Sequence, residues 1–143
     1  MRIASDQPNT LKLHDNISDS SIHLYYRTPT VKEVAGYTNG MTKRIRNKIV
    51  NCTGECRQKH GKAILEGFRD GDFGMLKNGE PVMISSNPDS AAYDPEWKNL
   101  FCKYAADLVE RLAIHAFEQT ADTDDGTELP DNRSRRREDS DPS

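Results

Sequence analysis

The sequence predicts an α+β fold, and three observations carry that prediction. Two short segments near the N-terminus alternate apolar and polar side chains, which is the period of a half-buried strand. Residues 30–69 repeat apolar side chains at intervals of three, four or seven, and residues 94–118 do the same. We therefore expect a β-hairpin and two long helical regions that share one core.

The N-terminal hairpin is predicted from the alternation on both sides of a polar loop. Leu11 and Leu13 fall on one face of the first strand, and Ile22 and Leu24 fall on one face of the second. The residues between them are mostly Asp, Asn and Ser, which favour turns. Pro29 lacks the N–H that a ladder needs, so the second strand should end before it.

A long central helix is predicted to follow. Thr30 and Glu33 match a capping box, in which each side chain binds the backbone N–H of the other residue. Glycines inside the pattern each weaken a helix by roughly 1 kcal/mol relative to alanine, so a break is expected near Gly40 or near Gly61. The apolar stripe on this helix comprises Val34, Tyr37, Met41, Ile45, Ile49, Cys52, Cys56, Ala63 and Phe68.

A short second hairpin and a C-terminal amphipathic helix complete the predicted fold. Asn78-Gly79 lies between two apolar runs, which is typical of a type I′ hairpin turn, and Pro81 limits the second strand to an edge. Asp94 followed by Pro95 indicates a helix start. This last helix should reach about residue 118 and pack on the central helix through Trp97, Phe101, Tyr104, Leu108 and Leu112.

Domain organisation follows from composition. Residues 10–119 are predicted to form a single domain, with a flexible N-terminus over residues 1–9. Residues 120–143 carry eight acids and four arginines but one large apolar residue, so we expect a disordered tail. Three cysteines and no secretory or membrane-spanning segment favour a cytoplasmic protein with reduced thiols.

The sequence contains no clear catalytic, metal-binding or phosphate-binding motif. Cys52, Cys56 and His60 would align on one helix face, but a straight helix does not wrap a tetrahedral metal and a fourth ligand is missing. Core packing of both cysteines is the favoured interpretation. The histidines, His115 among them, accompany no nucleophile motif, and no glycine cluster has phosphate-loop spacing. We expect that the protein is not an enzyme and that it binds no cofactor and no metal.

Two sets of side chains are candidates for binding. Between residues 41 and 62, seven Lys or Arg accompany one acid. These cations could bind phosphates or the acidic tail, or they could be a solvated face. The second set is aromatic, and most of it should be core; any exposed part would suit a protein interface. The candidate interaction residues are Tyr25, Tyr26, Arg27, Lys43, Arg44, Arg46, Lys48, Phe73, Tyr93 and Trp97.

Several phrases of the sequence together resemble a known group of proteins. They are Leu24-Tyr-Tyr-Arg-Thr-Pro-Thr-Val-Lys-Glu, Gly61-Lys-Ala-Ile-Leu-Glu-Gly-Phe-Arg-Asp-Gly-Asp-Phe, Ile84-Ser-Ser-Asn-Pro-Asp-Ser, Tyr93-Asp-Pro-Glu-Trp-Lys and Leu112-Ala-Ile-His-Ala-Phe-Glu. In this order they resemble small morphogenesis proteins of tailed phages and prophages, including tail assembly chaperone-like proteins, over about residues 24–118.

The resemblance implies a non-enzymatic role in virion assembly. Such a protein would bind a tail or other structural protein of the phage in the bacterial cytoplasm, either transiently or within the particle. The pattern carries no ligand residues, so none is transferred to this chain. The alternative expectation is a nucleic-acid-associated protein that binds phosphates through the basic residues between Lys43 and Lys62.

Overall fold

The N-terminal hairpin is present and forms two strands of a three-stranded sheet. In this computed structural model, which describes Met1 and residues 7–119, β1 spans Asn9–Asp15 and β2 spans Ser20–Tyr26. Leu13 pairs with Ile22, and Leu24 faces the same core. A third strand, β5 (Leu65–Phe68), pairs antiparallel with the other edge of β2, which gives the order β1-β2-β5.

The prediction that residues 30–69 are helical throughout, apart from a break near a glycine, is wrong. Residues 30–69 form a helix, a hairpin, a second helix and a strand: α1 (Val31–Asn39), β3 (Thr42–Ile45), β4 (Lys48–Asn51), α2 (Thr53–Ile64) and β5. The first helix does begin with the predicted capping box. It ends at Gly40, which is one of the two positions where a break was predicted. Gly61, the other predicted break, lies inside α2.

The second hairpin is confirmed, and the turn has the predicted form. Strands β6 (Gly74–Lys77) and β7 (Glu80–Met83) are joined by Asn78 and Gly79, whose φ angles of 55° and 82° are those of a type I′ turn. Pro81 pairs with Leu76 in a two-stranded sheet, where an outward-facing position needs no N–H donor.

The C-terminal helical region is not one helix. It consists of α3 (Trp97–Tyr104), α4 (Ala106–Ala113) and a π-helical segment, Ile114–Gln119. Asp94 still shapes the start, because its carboxylate accepts the N–H of Glu96 and its carbonyl accepts the N–H of Trp97. The break lies at Ala105, whose φ and ψ of −126° and 41° leave the helical region.

The core lies between the three-stranded sheet and the helices α2, α3 and α4. Helix α4 packs against α2, as expected for the C-terminal helical region. An aromatic cluster on one side joins Phe68, Phe73, Trp97 and Phe101 with ring centroids 5.1–5.8 Å apart. Fully buried aliphatic side chains fill the rest: Leu24, Ile64, Leu65, Ile84, Val109 and Leu112.

The α+β class is therefore correct. The predicted tail over residues 120–143 and most of the predicted flexible N-terminus lie outside the described residues. Within residues 7–119, no helix has both the length and the apolar composition needed to cross a membrane.

Candidate functional site

The feature that stands apart from the core is the hairpin β3–β4, which we call the basic arm (residues 42–51). Its turn residues Arg46 and Asn47 have φ angles of 50° and 66°, which is the type I′ geometry. Asparagine tolerates this left-handed conformation well, whereas arginine adopts it rarely. Every side chain of the basic arm is exposed to solvent. The arm thus projects from the domain and has no buried side chain.

The basic arm carries four positive charges and no acid: Lys43, Arg44, Arg46 and Lys48. Among the described residues, none of these four has an ion pair or a side-chain hydrogen bond. Elsewhere the exposed arginines do find partners, as Arg69 does with Asp72. The arm is therefore a concentrated positive surface that the folded domain leaves unneutralised.

Aliphatic side chains are interspersed with the cations on the basic arm. Ile45, Ile49 and Val50 are 52%, 71% and 40% exposed. Ile45 pairs directly with Lys48, Val50 with Lys43 and Ile49 with Arg44, so each face of the hairpin combines aliphatic and cationic groups. Because β3 and β4 form a sheet of their own, the outer edge of each strand also has unpaired backbone groups.

The base of the basic arm is fixed to the domain. The N–H of Cys52 donates to the carbonyl of Met41 at 2.7 Å, which closes the hairpin at its root. One turn further along α2, the buried thiol of Cys56 donates to the carbonyl of Tyr37 at 3.1 Å and so ties α2 to α1. Phe117 stacks on the Tyr37 ring, with centroids 4.5 Å apart. The arm is thus joined to a packed region of α1, α2 and Phe117, which we call the seat of the arm.

A charged network lies on the same seat. Arg57 donates to Glu118 at 3.0 Å and to Glu110 at 3.1 Å, and the Tyr37 hydroxyl also donates to Glu118. Burial opposes ionisation of Glu118, but the hydrogen bonds from Arg57 and Tyr37 outweigh it and lower the pKa of that carboxyl. Burial, followed by the Glu118 contact, raises the pKa of Tyr37. Glu118 therefore stays anionic and holds the end of the described chain in place.

The cysteines and His60 do not form a reactive centre. Cys56 and His60 approach to 3.6 Å, and burial raises the pKa of the Cys56 thiol, which keeps it protonated at neutral pH. A nucleophilic cysteine needs the opposite shift. Across residues 7–119, no group of three His, Cys, Asp or Glu side chains is arranged to hold a metal ion. Cys52 and Cys56 are buried packing residues, in agreement with their predicted role.

The predicted aromatic candidates lie away from the basic arm and mostly in the core. Tyr26 is buried against His115, and Phe73 and Trp97 pack in the aromatic cluster. Tyr25 is half-buried beside β5, and Tyr93 is exposed in the loop before α3. These five do not come together into one patch. Arg27 is a structural residue, since both of its terminal nitrogens donate to the Glu33 carboxylate at 2.7 Å.

The basic candidates, in contrast, are brought together, but on a hairpin instead of the predicted helix. Lys43, Arg44, Arg46 and Lys48 all lie within the two strands and turn of the basic arm. Ile45, Ile49 and Val50 were missed as surface residues, because the helical pattern assigned both isoleucines to a buried stripe. The signal that could have found them is the presence of β-branched residues on both sides of Asn47, a residue that favours turns.

A shallow open cleft of about 400 Å³ lies beside β5, bordered by Tyr25, Glu66, Arg69, Asp70 and Asn87. Ser86 also borders the cleft, and its hydroxyl accepts the N–H of Phe68 at 3.0 Å and donates to the carbonyl of Phe68 at 3.2 Å. The Asp70 carboxylate accepts a hydrogen bond from the buried Ser85 hydroxyl at 2.6 Å. Both of these cleft residues thus make hydrogen bonds within the fold. Comparison of the chain with protein-family models, curated proteins and solved structures finds no match.

Proposed function

We propose that this protein is a non-enzymatic binding protein that captures a protein partner through the basic arm. The observation that carries the proposal is the projecting hairpin itself, with four unpaired cations, three exposed aliphatic side chains and free strand edges. Exposed apolar side chains rimmed by polar and charged groups are a feature of protein interaction sites. An isolated two-stranded hairpin is also marginally stable, so a partner would order it further.

The charges, aliphatic side chains and free strand edges of the basic arm indicate the kind of partner that it would bind. An acidic surface would pair with Lys43, Arg44, Arg46 and Lys48, and an apolar patch would cover the isoleucines. The free edges of β3 and β4 suit addition of an extended strand from the partner. The resemblance to tailed-phage morphogenesis proteins supports a phage structural protein, such as a tail component, as that partner. In this proposal the protein acts in the cytoplasm of the bacterial host during particle assembly.

Affinity capture tests the proposal. The tagged chain is co-expressed with a tail-tube or tape-measure-type protein, and the captured protein is identified by mass spectrometry. Reversing the arm charges (Lys43, Arg44, Arg46 and Lys48→Glu) should weaken capture at least about tenfold, because four favourable contacts become repulsive. The matched control reverses four exposed lysines outside the arm: Lys12, Lys32, Lys77 and Lys103→Glu. Equal capture by both variants would refute the proposal.

Nucleic acid is the second candidate partner, favoured by the same four unpaired cations. Phosphate binding would fall steeply with salt, with a slope of about −0.9 per phosphate contact on duplex DNA. Against it, the basic arm carries no aromatic side chain on which a base could stack. The double change Ile45→Thr and Ile49→Thr separates the two candidates, since it keeps the charges and the strand preference. It should abolish protein capture and leave phosphate binding intact; absence of nucleic-acid binding at about 50 mM salt excludes the second candidate.

A further inference from the structure

The last described residues lie beside the root of the basic arm. Phe117 stacks on Tyr37, and Glu118 accepts hydrogen bonds from Tyr37 and Arg57. Tyr37 precedes Met41 by four residues and Arg57 follows Cys52 by five, and the Met41–Cys52 hydrogen bond closes the arm. The residues that follow Gln119 therefore start from the seat on which the basic arm is mounted.

The sequence that follows is charged in a way that matches the arm. Residues 121–131, which we call the acidic segment, contain five acids and no lysine or arginine: Asp122, Asp124, Asp125, Glu128 and Asp131. All four arginines of the C-terminal region come later, between Arg133 and Arg137, where Glu138, Asp139 and Asp141 nearly balance them. The acids that follow Gln119 most closely in the sequence are thus the ones without a neighbouring cation.

The acidic segment is long enough to reach the whole arm. An extended residue spans about 3.3–3.6 Å, so Asp122 can lie about 10 Å from Gln119 and Asp131 about 40 Å from it. Each strand of the arm has four residues and is about 13 Å long. Attachment through a short linker also gives a segment an effective concentration in the millimolar range at its target. Weak charge pairing is then enough to populate the contact.

We propose that the acidic segment docks on the basic arm of the same chain and competes there with an acidic partner. The cations of the arm face the carboxylates of the segment, and the segment shields the arm until a partner displaces it. The competition rests on the proposed function, whereas the contact within the chain does not. If the arm is free in about a tenth of the molecules, the apparent affinity for the partner falls about tenfold.

NMR spectroscopy of the full chain tests the contact without any partner. The variant Asp122, Asp124, Asp125 and Asp131→Asn with Glu128→Gln removes the charges of the acidic segment. Its backbone amide resonances for residues 42–51 should differ from those of the wild type at low salt. High salt should bring the two spectra together, because screening weakens the contact. The matched control, Glu138→Gln with Asp139 and Asp141→Asn, should leave these resonances unchanged.

A peptide of residues 120–132 provides the second measurement. Added to the neutralised variant, it should move the resonances of residues 42–51 toward their wild-type positions, and it should not do so when Lys43, Arg44, Arg46 and Lys48 are changed to Glu. Identical arm resonances in wild type and neutralised variant at low salt would overturn the inference. Resonances that move on tenfold dilution would also overturn it, since the contact would then join two copies of the chain.

The partner experiment separates this inference from the proposed function. Tighter capture of the tail protein by the neutralised variant supports both. Shifted arm resonances without capture of a partner by either form uphold the contact and refute the proposed function. Capture at equal strength by both forms, with unshifted resonances, refutes the contact and upholds the proposed function.

Discussion

At the scale of single residues, Glu33 links the start of helix α1 to the end of strand β2. Its carboxylate accepts the N–H of Thr30 at 2.9 Å in the capping box of α1, and it also accepts two hydrogen bonds from Arg27 at the end of β2. Arg27 is the larger cause, and the Thr30 N–H the next, of a Glu33 pKa of about 2. The capping box was predictable from the sequence, because both residues are local. The link to Arg27 was not, because it joins a strand end to a helix.

Changing Glu33 to Gln should make the free energy of unfolding depend less on pH in the acidic range. Glutamine keeps an oxygen for the cap but loses the charge, and since both partners are partly in solvent we expect a cost of about 1 kcal/mol at pH 7. The pKa of Glu33 is lowered on folding, so its contribution is present above the unfolded value of about 4.3. It is then lost as pH falls toward about 2.

Urea unfolding at pH 7 and at intervals down to pH 2 measures this difference. Wild type and variant should still differ at pH 3 and should converge only as pH reaches about 2, where Glu33 becomes protonated in the folded as well as the unfolded state. Glu80→Gln is the matched control, since Glu80 is exposed and has no partner among the described residues. A gap between wild type and Glu33→Gln that stays constant over this range would contradict the assigned role of the Arg27 pair.

At the scale of elements, the close packing of α2 on α4 depends on Gly61. A Cβ at this position would lie 2.7 Å from the carbonyl oxygen of Val109 and 2.8 Å from its Cγ1. Both distances are shorter than any relaxed carbon contact allows, so the two helices would have to separate. The glycine that looked like a helix breaker in the sequence is thus the contact point of two helices.

Gly61→Ala should therefore destabilise the protein despite the better helix propensity of alanine. We expect a loss of about 1–3 kcal/mol from overpacking, measured by urea or thermal unfolding. Gly54→Ala is the matched control in the same helix, because nothing lies within 4 Å of its added Cβ. That variant should be neutral or more stable by about 0.5 kcal/mol. Equal effects of the two changes would mean that helix propensity, not packing, governs both positions.

The elements that sequence patterns predicted are those set by local chemistry. The turn at Asn78-Gly79 and the alternation of Leu13, Ile22 and Leu24 are local signals, and both hairpins were found. The sequence pattern predicts helix for the basic arm because Met41, Ile45, Ile49 and Cys52 also fit a helical period. Only burial separates the two interpretations, and both isoleucines are exposed.

The break in the C-terminal helix at Ala105 was out of reach for a different reason. No glycine or proline marks it, and the helical spacing of apolar residues continues through it. One contact at the break is long-range: the side chain of Gln58, on α2, donates to the carbonyl of Ala106 at 2.7 Å. Contacts across about fifty residues do not show in a periodic pattern. The four candidate cations were likewise placed on the wrong element, a helix instead of the hairpin on which they lie.

At the scale of the whole molecule, the proposed binding surface and the core lie in different parts of the chain. The core lies between the sheet and helices α2, α3 and α4, and the basic arm contributes no side chain to it. Met41 and Cys52 meet at the root of the arm through one backbone hydrogen bond. The side chains of the arm therefore lie outside the core, which is the arrangement expected if the arm serves the proposed binding.

Replacement of residues 42–51 by Asn-Gly tests this separation. The two residues can close a tight turn between Met41 and Cys52. Because the arm has no buried side chain and a shorter loop is easier to close, the free energy of unfolding should change by less than about 1 kcal/mol. Leu24→Ala, in the fully buried core, should cost about 2–5 kcal/mol in the same urea titration and shows that the assay is sensitive. The armless chain should stay folded and lose capture of the tail protein; an armless chain that unfolds would place the arm in the folding unit instead.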